Sequence, residues 1–294
     1  MSTVVALGGN ALMRPGERGT AAEQLANLRR AVAALGPLLA EPGLVITHGN
    51  GPQVGNELLR QERAAAEAPP LPLWVAVAQT QAEIGTLIAA ELRAHATPAC
   101  LLTHVRVAAD DPAFDRPTKP IGPFYSAEEA ETLQRERGWV LVSDANRGHR
   151  RVVASPLPLE VVELDVIRRL AESAVVIACG GGGIPVVRRG DRLMGVDAVI
   201  DKDRASGLLA RGLDARRLII LTEVSAVYRS FGEPDQEELR MLSRSEAEAL
   251  LPTLAEGSMR PKVEAALAFG RETLITNFDA LESALAGSGG TRIV

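Results

Sequence analysis

Leu44-Val45-Ile46-Thr47-His48-Gly49-Asn50-Gly51-Pro52 carries the unit that organises this chain. A β-rich run over residues 44–47 breaks into a glycine-rich turn, and a helical pattern over about 54–67 follows. The same unit stands upstream. Thr3-Val4-Val5-Ala6-Leu7 runs into Gly8-Gly9-Asn10, and a helical stretch over about 20–40 carries Leu25, Leu28, Val32 and Leu35 on one face before Pro42-Gly43 stops it. It returns downstream: a strand over 174–178 enters Gly180-Gly181-Gly182-Gly183, a helix covers 203–212 and a strand covers 218–221. Strands alternating with helices predict an α/β fold, a mostly parallel sheet with helices on both faces. Ligands of such sheets bind at the carboxyl ends of the strands, where Gly8-Gly9-Asn10, Gly49-Asn50-Gly51, Gly180–Gly183 and Thr222 fall.

The rest of the chain reads as follows. Residues 75–95 are helical, and 99–107 read as one strand. Residues 108–158 form a Pro-rich excursion with a small helix over 127–137 and a hairpin of 139–143 with 151–154, long enough to be a lid. Residues 159–173, 245–254 and 261–270 are helical, 230–240 are charged and irregular, and 274–276 are a last inner strand.

The chain has 294 residues, enough for one large domain or two lobes. It is 46% hydrophobic and 23% charged, so a sizeable core can form. A net charge of −5 argues against a nucleic-acid backbone binder. No apolar run reaches membrane-spanning length, and the first residues lack a secretory signal pattern. Two cysteines make neither a disulfide framework nor a metal cluster. The expectation is a cytoplasmic protein without membrane or nucleic-acid partners.

Of 32 basic residues only Lys119, Lys202 and Lys262 are lysine. Arginine serves surface charge equally well, but it does not replace a compact ammonium on a flexible stem. The three are therefore candidates for positions where the chemistry rejects a guanidinium. Lys202 lies between two carboxylates in Asp201-Lys202-Asp203 at a helix start. Lys262 follows Ser258, a candidate cap, and Pro261, suited to a first helical turn. A lysine there opposes the helix dipole unless a phosphate is held beside it. Lys119 sits in the stiff loop Pro117-Thr118-Lys119-Pro120 of the excursion, placed to reach a site as a lid closes.

Glycine turns offer backbone N–H groups to an anion. The P-loop, the dinucleotide fingerprint, the protein-kinase signatures and a nucleophile elbow are all absent. Three ammonium groups with three sets of glycine amides suit phosphoryl transfer, which needs positioning and positive charge and no covalent relay. Among lesser residues, His48 reads as a hydrogen-bonding loop residue and Cys179 as a small apolar filler. Asp201 can ligate Mg²⁺ or pair with Lys202. Arg188-Arg189 and Arg216-Arg217 read as solvated faces, and Gln79 and Gln81 as ordinary polar positions.

These segments carry a resemblance. Val5-Ala6-Leu7-Gly8-Gly9-Asn10-Ala11, Thr47-His48-Gly49-Asn50-Gly51-Pro52-Gln53-Val54-Gly55, Pro117-Thr118-Lys119-Pro120-Ile121-Gly122-Pro123-Phe124, Cys179-Gly180-Gly181-Gly182-Gly183-Ile184-Pro185-Val186-Val187, Val199-Ile200-Asp201-Lys202-Asp203 and Gly257-Ser258-Met259-Arg260-Pro261-Lys262 together resemble the carbamate kinases of the amino acid kinase superfamily. The resemblance spans essentially the whole chain. It implies a three-layer αβα open sheet with a small inserted lid subdomain: residues 1–107 as the carbamate and phosphoryl lobe, 108–158 as the lid and 159–294 as the nucleotide lobe. It implies ATP + carbamate ⇌ ADP + carbamoyl phosphate by direct in-line transfer with Mg²⁺ and no protein-held metal, in a homodimer acting in arginine and carbamoyl phosphate catabolism. By motif, Lys119, Lys202, Lys262 and Asp203 would be catalytic. Gly8, Gly9, Asn10, Gly49, Asn50, Gly51, Gly181 and Gly182 would hold the small acid and the phosphoryl group. Thr222, Val224, Met259 and Pro261 would lie along the nucleotide with Lys202 and Lys262. The chain departs from the family pattern in Leu221-Thr222-Glu223-Val224-Ser225-Ala226-Val227 and in the lid at 145–151. The same residues also accommodate a kinase of this fold for another small acid, or a non-catalytic sensor of nucleotide or carbamoyl phosphate.

Overall fold

A computed structural model describes residues 2–14, 16–143 and 148–294. Among these, the strands β1 (Thr3–Leu7), β2 (Leu44–His48), β3 (Pro98–Cys100), β9 (Val175–Ile177), β12 (Arg217–Leu221), β15 (Met241–Leu242), β16 (Thr273–Thr276) and β17 (Thr291–Ile293) form one eight-stranded sheet. Its order is β15-β17-β16-β12-β1-β2-β9-β3, parallel throughout except for β17 against β16. Successive strand residues point to opposite faces. Val4 and Ala6 of β1 enter one core with residues of α6 (Leu164–Leu170), α7 (Lys202–Gly212), α8 (Arg244–Leu250) and α9 (Met259–Phe269). Val5 and Leu7 enter the other with residues of α1 (Ala21–Ala34), α2 (Gly36–Leu39), α4 (Leu73–Leu92) and α10 (Leu281–Leu285). Two apolar layers on one sheet are the expected αβα sandwich.

The helix starts follow local chemistry. Thr20 with Glu23, Ser126 with Glu129 and Ser243 with Glu246 form capping boxes at α1, α5 (Ala127–Arg137) and α8.

A second sheet, β11-β10-β4-β8, joins β4 (His104–Val107), β8 (Pro158–Val161), β10 (Ile184–Arg189) and β11 (Arg192–Gly195). It corrects two expectations. Residues 99–107 are not one strand: β3 pairs with β9 in the main sheet, and β4 pairs with β10 in the second. Between them the backbone is satisfied from elsewhere. Thr103 N donates to Gln81 Oε1 at 2.6 Å, and Thr103 O accepts from Ile184 N at 2.8 Å, so the chain turns off one sheet onto another. Residues 159–173 are not helical throughout, since β8 occupies the first positions and α6 begins at Leu164.

The excursion holds a third sheet, β5-β7-β6, from β5 (Lys119–Tyr125), β6 (Leu141–Ser143) and β7 (His149–Val153). Lys119 thus opens a strand where a loop was expected. Of the departing lid segment, 145–147 lie outside the described residues. The lid rests on α3 (Gly51–Ala64) and α4 through a small apolar cluster of Val54, Leu73, Ala76, Val77, Ile121, Val153 and Val199. The 230–240 segment, expected as irregular, contains β14 (Glu237–Leu239), antiparallel to β13 (Val227–Arg229). Arg216 and Arg217 do more than face solvent, because both hold Glu41, Arg217 at 2.8 Å. No helix of the described residues is long and apolar enough to cross a membrane.

Candidate active site

The strands β12, β1, β2 and β9 are neighbours in the sheet and parallel, so their carboxyl ends lie side by side. Those ends carry Thr222, Gly8–Asn10, Gly49–Gly51 and Cys179–Gly183. The chain reverses its direction of sheet growth between β1 and β12, the switch point at which such sheets bind ligands.

The loops are packed too tightly for side chains at certain positions. A Cβ on Gly181 would fall on the Asn50 amide, and one on Gly182 would fall on Ile200 O. Both residues have positive φ, +65° and +88°, which glycine adopts without strain. Asn50 is buried, and its Nδ2 donates to Thr80 Oγ1 at 2.9 Å. Gln81 Nε2 donates to Gly180 O at 2.8 Å. Gln81 is therefore a buried clamp between α4, the glycine loop and Thr103, and not an ordinary polar position. The signal was in the sequence: Gln81 lies on the same stripe as Val77, Ile84 and Ile88, the buried face of α4.

Around this edge the structure brings the three lysines together through two carboxylates. Asp201 precedes α7, and its Oδ1 accepts from Asp203 N at 2.9 Å and Arg204 N at 3.2 Å, capping the helix. Its Oδ2 accepts from Lys119 Nζ of the lid at 2.6 Å. Asp201 thus partners Lys119, where the sequence had offered Lys202 or a metal ion. Asp203 Oδ1 is paired with Lys202 Nζ, and its Oδ2 accepts from Lys262 Nζ at 3.0 Å. Lys262 Nζ also donates to Ser258 O at 2.9 Å. Ser258 was expected to cap α9 with its side chain; no such bond forms, and its carbonyl receives the lysine instead. A Cβ on Gly49 would stand 3.3 Å from Lys202 Cδ, so the lysine stem lies directly on that turn.

The electrostatics follow from burial among opposite charges. Burial pushes the Asp203 carboxyl up, but the Lys202 and Lys262 ammoniums outweigh it and hold the group below its ordinary value. Asp201 is likewise held well down, by Lys119 above all the other charges. Burial depresses Lys202, and neighbouring Lys262 adds to that, with Asp203 offsetting only part. For Lys262 burial also depresses, but Asp203 prevails and the ammonium is raised. His48 Nδ1–H donates to Gly49 O at 2.9 Å, and burial lowers its pKa to about 4. It is a neutral residue at the end of β2 that holds the glycine turn.

Beside the lysines opens a cleft of about 990 Å³. Gly8, Gly9, Thr222, Val224, Met259, Lys202 and Lys262 line it. Pro261 does not: it is buried in the first turn of α9. Asn10, Gly49, Asn50, Gly51, Gly181 and Gly182 lie outside that lining, in the glycine loops and the turn after β1.

A model of the amino acid kinase family matches residues 1–276. Carbamate kinase 2 of Staphylococcus aureus (strain MRSA252) is 44% identical, covering 99% of this chain and 98% of its own. The carbamate kinase of Halobacterium salinarum is 47% identical with the same coverage. This chain belongs to the carbamate kinases of the amino acid kinase family. Solved structures of that family superpose throughout. Carbamate kinase from Giardia lamblia bound to citric acid gives a TM-score of 0.93 at 38% identity, covering 100% of this chain and 98% of that one. The same enzyme bound to AMP-PNP gives 0.90 at 39% identity with equal coverage. The family's fold is thus the fold found here, and the chain is a kinase.

Proposed function

We propose that this enzyme transfers a phosphoryl group in line between ATP and carbamate, ATP + carbamate ⇌ ADP + carbamoyl phosphate, and works toward ATP. The chemistry of the acyl phosphate supports that direction: carbamoyl phosphate is a mixed anhydride that can give up its phosphoryl group to ADP, a step suited to carbamoyl phosphate catabolism. The observation that carries the reading is the pair Asp201 and Asp203 holding Lys119, Lys202 and Lys262, the last two of which line the cleft.

In this reading the nucleotide lies in the cleft along Thr222, Val224 and Met259. Gly8, Gly9 and Asn10 with Gly49, Asn50 and Gly51 receive the small acid and the moving phosphoryl group on backbone N–H groups, with Gly181 and Gly182 closing the far side. The glycines allow that approach, and the start of α3 at Gly51 adds the positive end of a helix. Lys202 and Lys262 share a single carboxylate, so one negative charge balances two positive ones. That surplus suits a transition state whose charge is spread over phosphoryl oxygens. Asp203 orients both ammoniums, and Lys119 arrives with the lid. Pro261 shapes the first turn of α9 without touching the nucleotide.

Mg²⁺ fits as an ion carried in on the nucleotide. Among the described residues no group of three His, Cys, Asp or Glu could hold a metal, and Asp201 and Asp203 are already engaged by lysines. Phosphate oxygens and water would supply most of its ligands, and it would neutralise phosphate charge there. The enzyme is proposed to act as a homodimer, supported by the exposed apolar run of Leu157, Leu159, Val162 and Val166.

Coupled ATP production from ADP and carbamoyl phosphate with Mg²⁺ tests the reading. Lys202→Ala and Lys262→Ala should each lower kcat by about 10²-fold or more, the scale of a lost transition-state donor. Wild-type turnover in both variants overturns the assignment, and tight ADP binding without any turnover in the unmodified chain points to a sensor instead.

A further inference from the structure

Helix α3 begins at the Gly49-Asn50-Gly51 turn and carries the lid on its side. Gly55, Leu58, Leu59 and Glu62 follow one another at the i, i+3, i+4, i+7 spacing of a single helical stripe. That stripe faces Ile121, Gly122 and Arg151 of the lid across a narrow cleft. At its upper end the backbones meet: a Cβ on Gly55 would fall on the Cα of Gly122. At its lower end the contact is ionic. Glu62 receives Arg137 Nη1 at 3.4 Å and Arg151 Nη1 at 3.5 Å. Both guanidiniums lie over the ring of Trp139, 5.4 Å and 4.2 Å from its centroid, and Tyr125 packs against the same ring at 6.4 Å.

Arg137 ends α5 and Arg151 lies on β7, so a single helix carboxylate grips two elements of the lid. Arg151 stands opposite Ile121 in the β5–β7 ladder, two residues along β5 from Lys119. Lys119 in turn meets Asp201 at 2.6 Å. The lid therefore touches the body at two charged points joined by one short strand. Glu62 is partly buried, and burial raises its carboxyl while both guanidiniums pull it back. Screening by water is reduced there, which lets an ion pair exceed the small worth of a fully exposed one.

We propose that Glu62 is a positioning residue: by clamping Arg137 and Arg151 it seats the lid on α3 and so holds Lys119 at Asp201 over the site. The proposal rests on the phosphotransfer reading above. Glu62 touches no substrate and acts only through β5. The body of the nucleotide cleft, built on β12 and α9, does not depend on it.

The test is Glu62→Gln, which keeps the shape and removes the charge, with Arg151→Gln as the second variant from the other side of the contact. Each should lower kcat about tenfold while leaving the KM for ADP within about twofold, since a small misplacement of a catalytic group is costly. In a Trp74→Phe background Trp139 is the sole tryptophan. Acrylamide should then quench its fluorescence more strongly in both variants than in the parent. In a Lys119→Ala background Glu62→Gln should have little further effect on the residual rate, because both changes remove the same group. Wild-type kcat and quenching in both variants overturn the proposal. So does a Glu62→Gln loss of the same size with and without Lys119. An inactive parent enzyme refutes the phosphotransfer reading instead, and leaves the quenching experiment to judge the clamp.

Discussion

Asp203 concentrates the chemistry of this site into one side chain, almost wholly buried and bound to two ammoniums. Its neighbour Asp201 does two things at once: it caps α7 through two backbone N–H groups and receives the lid lysine. The three lysines were legible in the sequence from scarcity, and Asp203 from adjacency and resemblance. Which carboxylate holds which lysine was not, because Lys119 is 82 positions from Asp201 and Lys262 is 59 from Asp203. His48 carries a separate prediction. It is fully buried and neutral, with a pKa near 4 against 6.5 for an ordinary histidine. Below pH 6.5 the unfolded chain takes up a proton that the folded chain refuses until about pH 4, so stability falls with pH across that window. The shift corresponds to about 3 kcal/mol. His104, raised by its bond to Glu163, works in the opposite sense. The comparison must therefore be with His48→Gln, in which His104 is unchanged. Urea unfolding at pH 7 and pH 4.5 should show the parent losing more stability than His48→Gln. Equal losses would refute the assignment.

At the scale of elements, the sharing of Asp203 between Lys202 and Lys262 depends on how α7 crosses α9. Gly207 makes that crossing close: a Cβ there would stand 2.7 Å from Ala265 O and 3.1 Å from its Cβ. Arg204 of α7 ties the same pair of helices by donating to Glu264 at 2.9 Å and 2.6 Å. Gly207→Ala should force the helices apart and cost about 1–3 kcal/mol, the usual penalty of overpacking. Because Lys262 rides on α9 and Asp203 on α7, kcat should fall as well. Thermal unfolding and the coupled assay check both, and a variant with parental Tm and kcat would refute the account. The long helices were legible from periodicity because one face of each is buried over several turns. The inner strands β1, β2, β9, β12 and β16 were legible too, but the strands of the second sheet were not. Residues 99–107 look like one β-rich run, yet they divide between two sheets at Thr103, and Gln81 from α4 is what holds the division. The strand β8 was hidden by an apolar spacing that suits helix equally well over so few residues.

For the whole molecule, chain order and sheet order differ. β9 follows the lid in sequence yet lies between β2 and β3, and the Gly180–Gly183 turn thereby meets Asn50. The exposed apolar residues Leu157, Leu159, Val162 and Val166 lie on or near the free edge strand of the second sheet. Exposed apolar side chains are where the proposed homodimer would join, since burying them on a second copy removes them from water. Light scattering should give a solution mass of two chains, and Leu159→Glu should shift it toward one. A monomeric parent would refute the homodimer. What the amino-acid order determined alone was the α/β class, the glycine turns after strands, the three lysines and the lid as an inserted segment. These are local matters of side-chain period, backbone freedom and residue choice. Only the tertiary structure decided that β12, β1, β2 and β9 stand in a row, that two carboxylates gather three distant ammoniums, and that Glu62 reaches the lid. Each of these needs segments far apart in the chain to share one small volume, and that is set by the packing of two apolar layers on the sheet, not by any run of neighbouring residues.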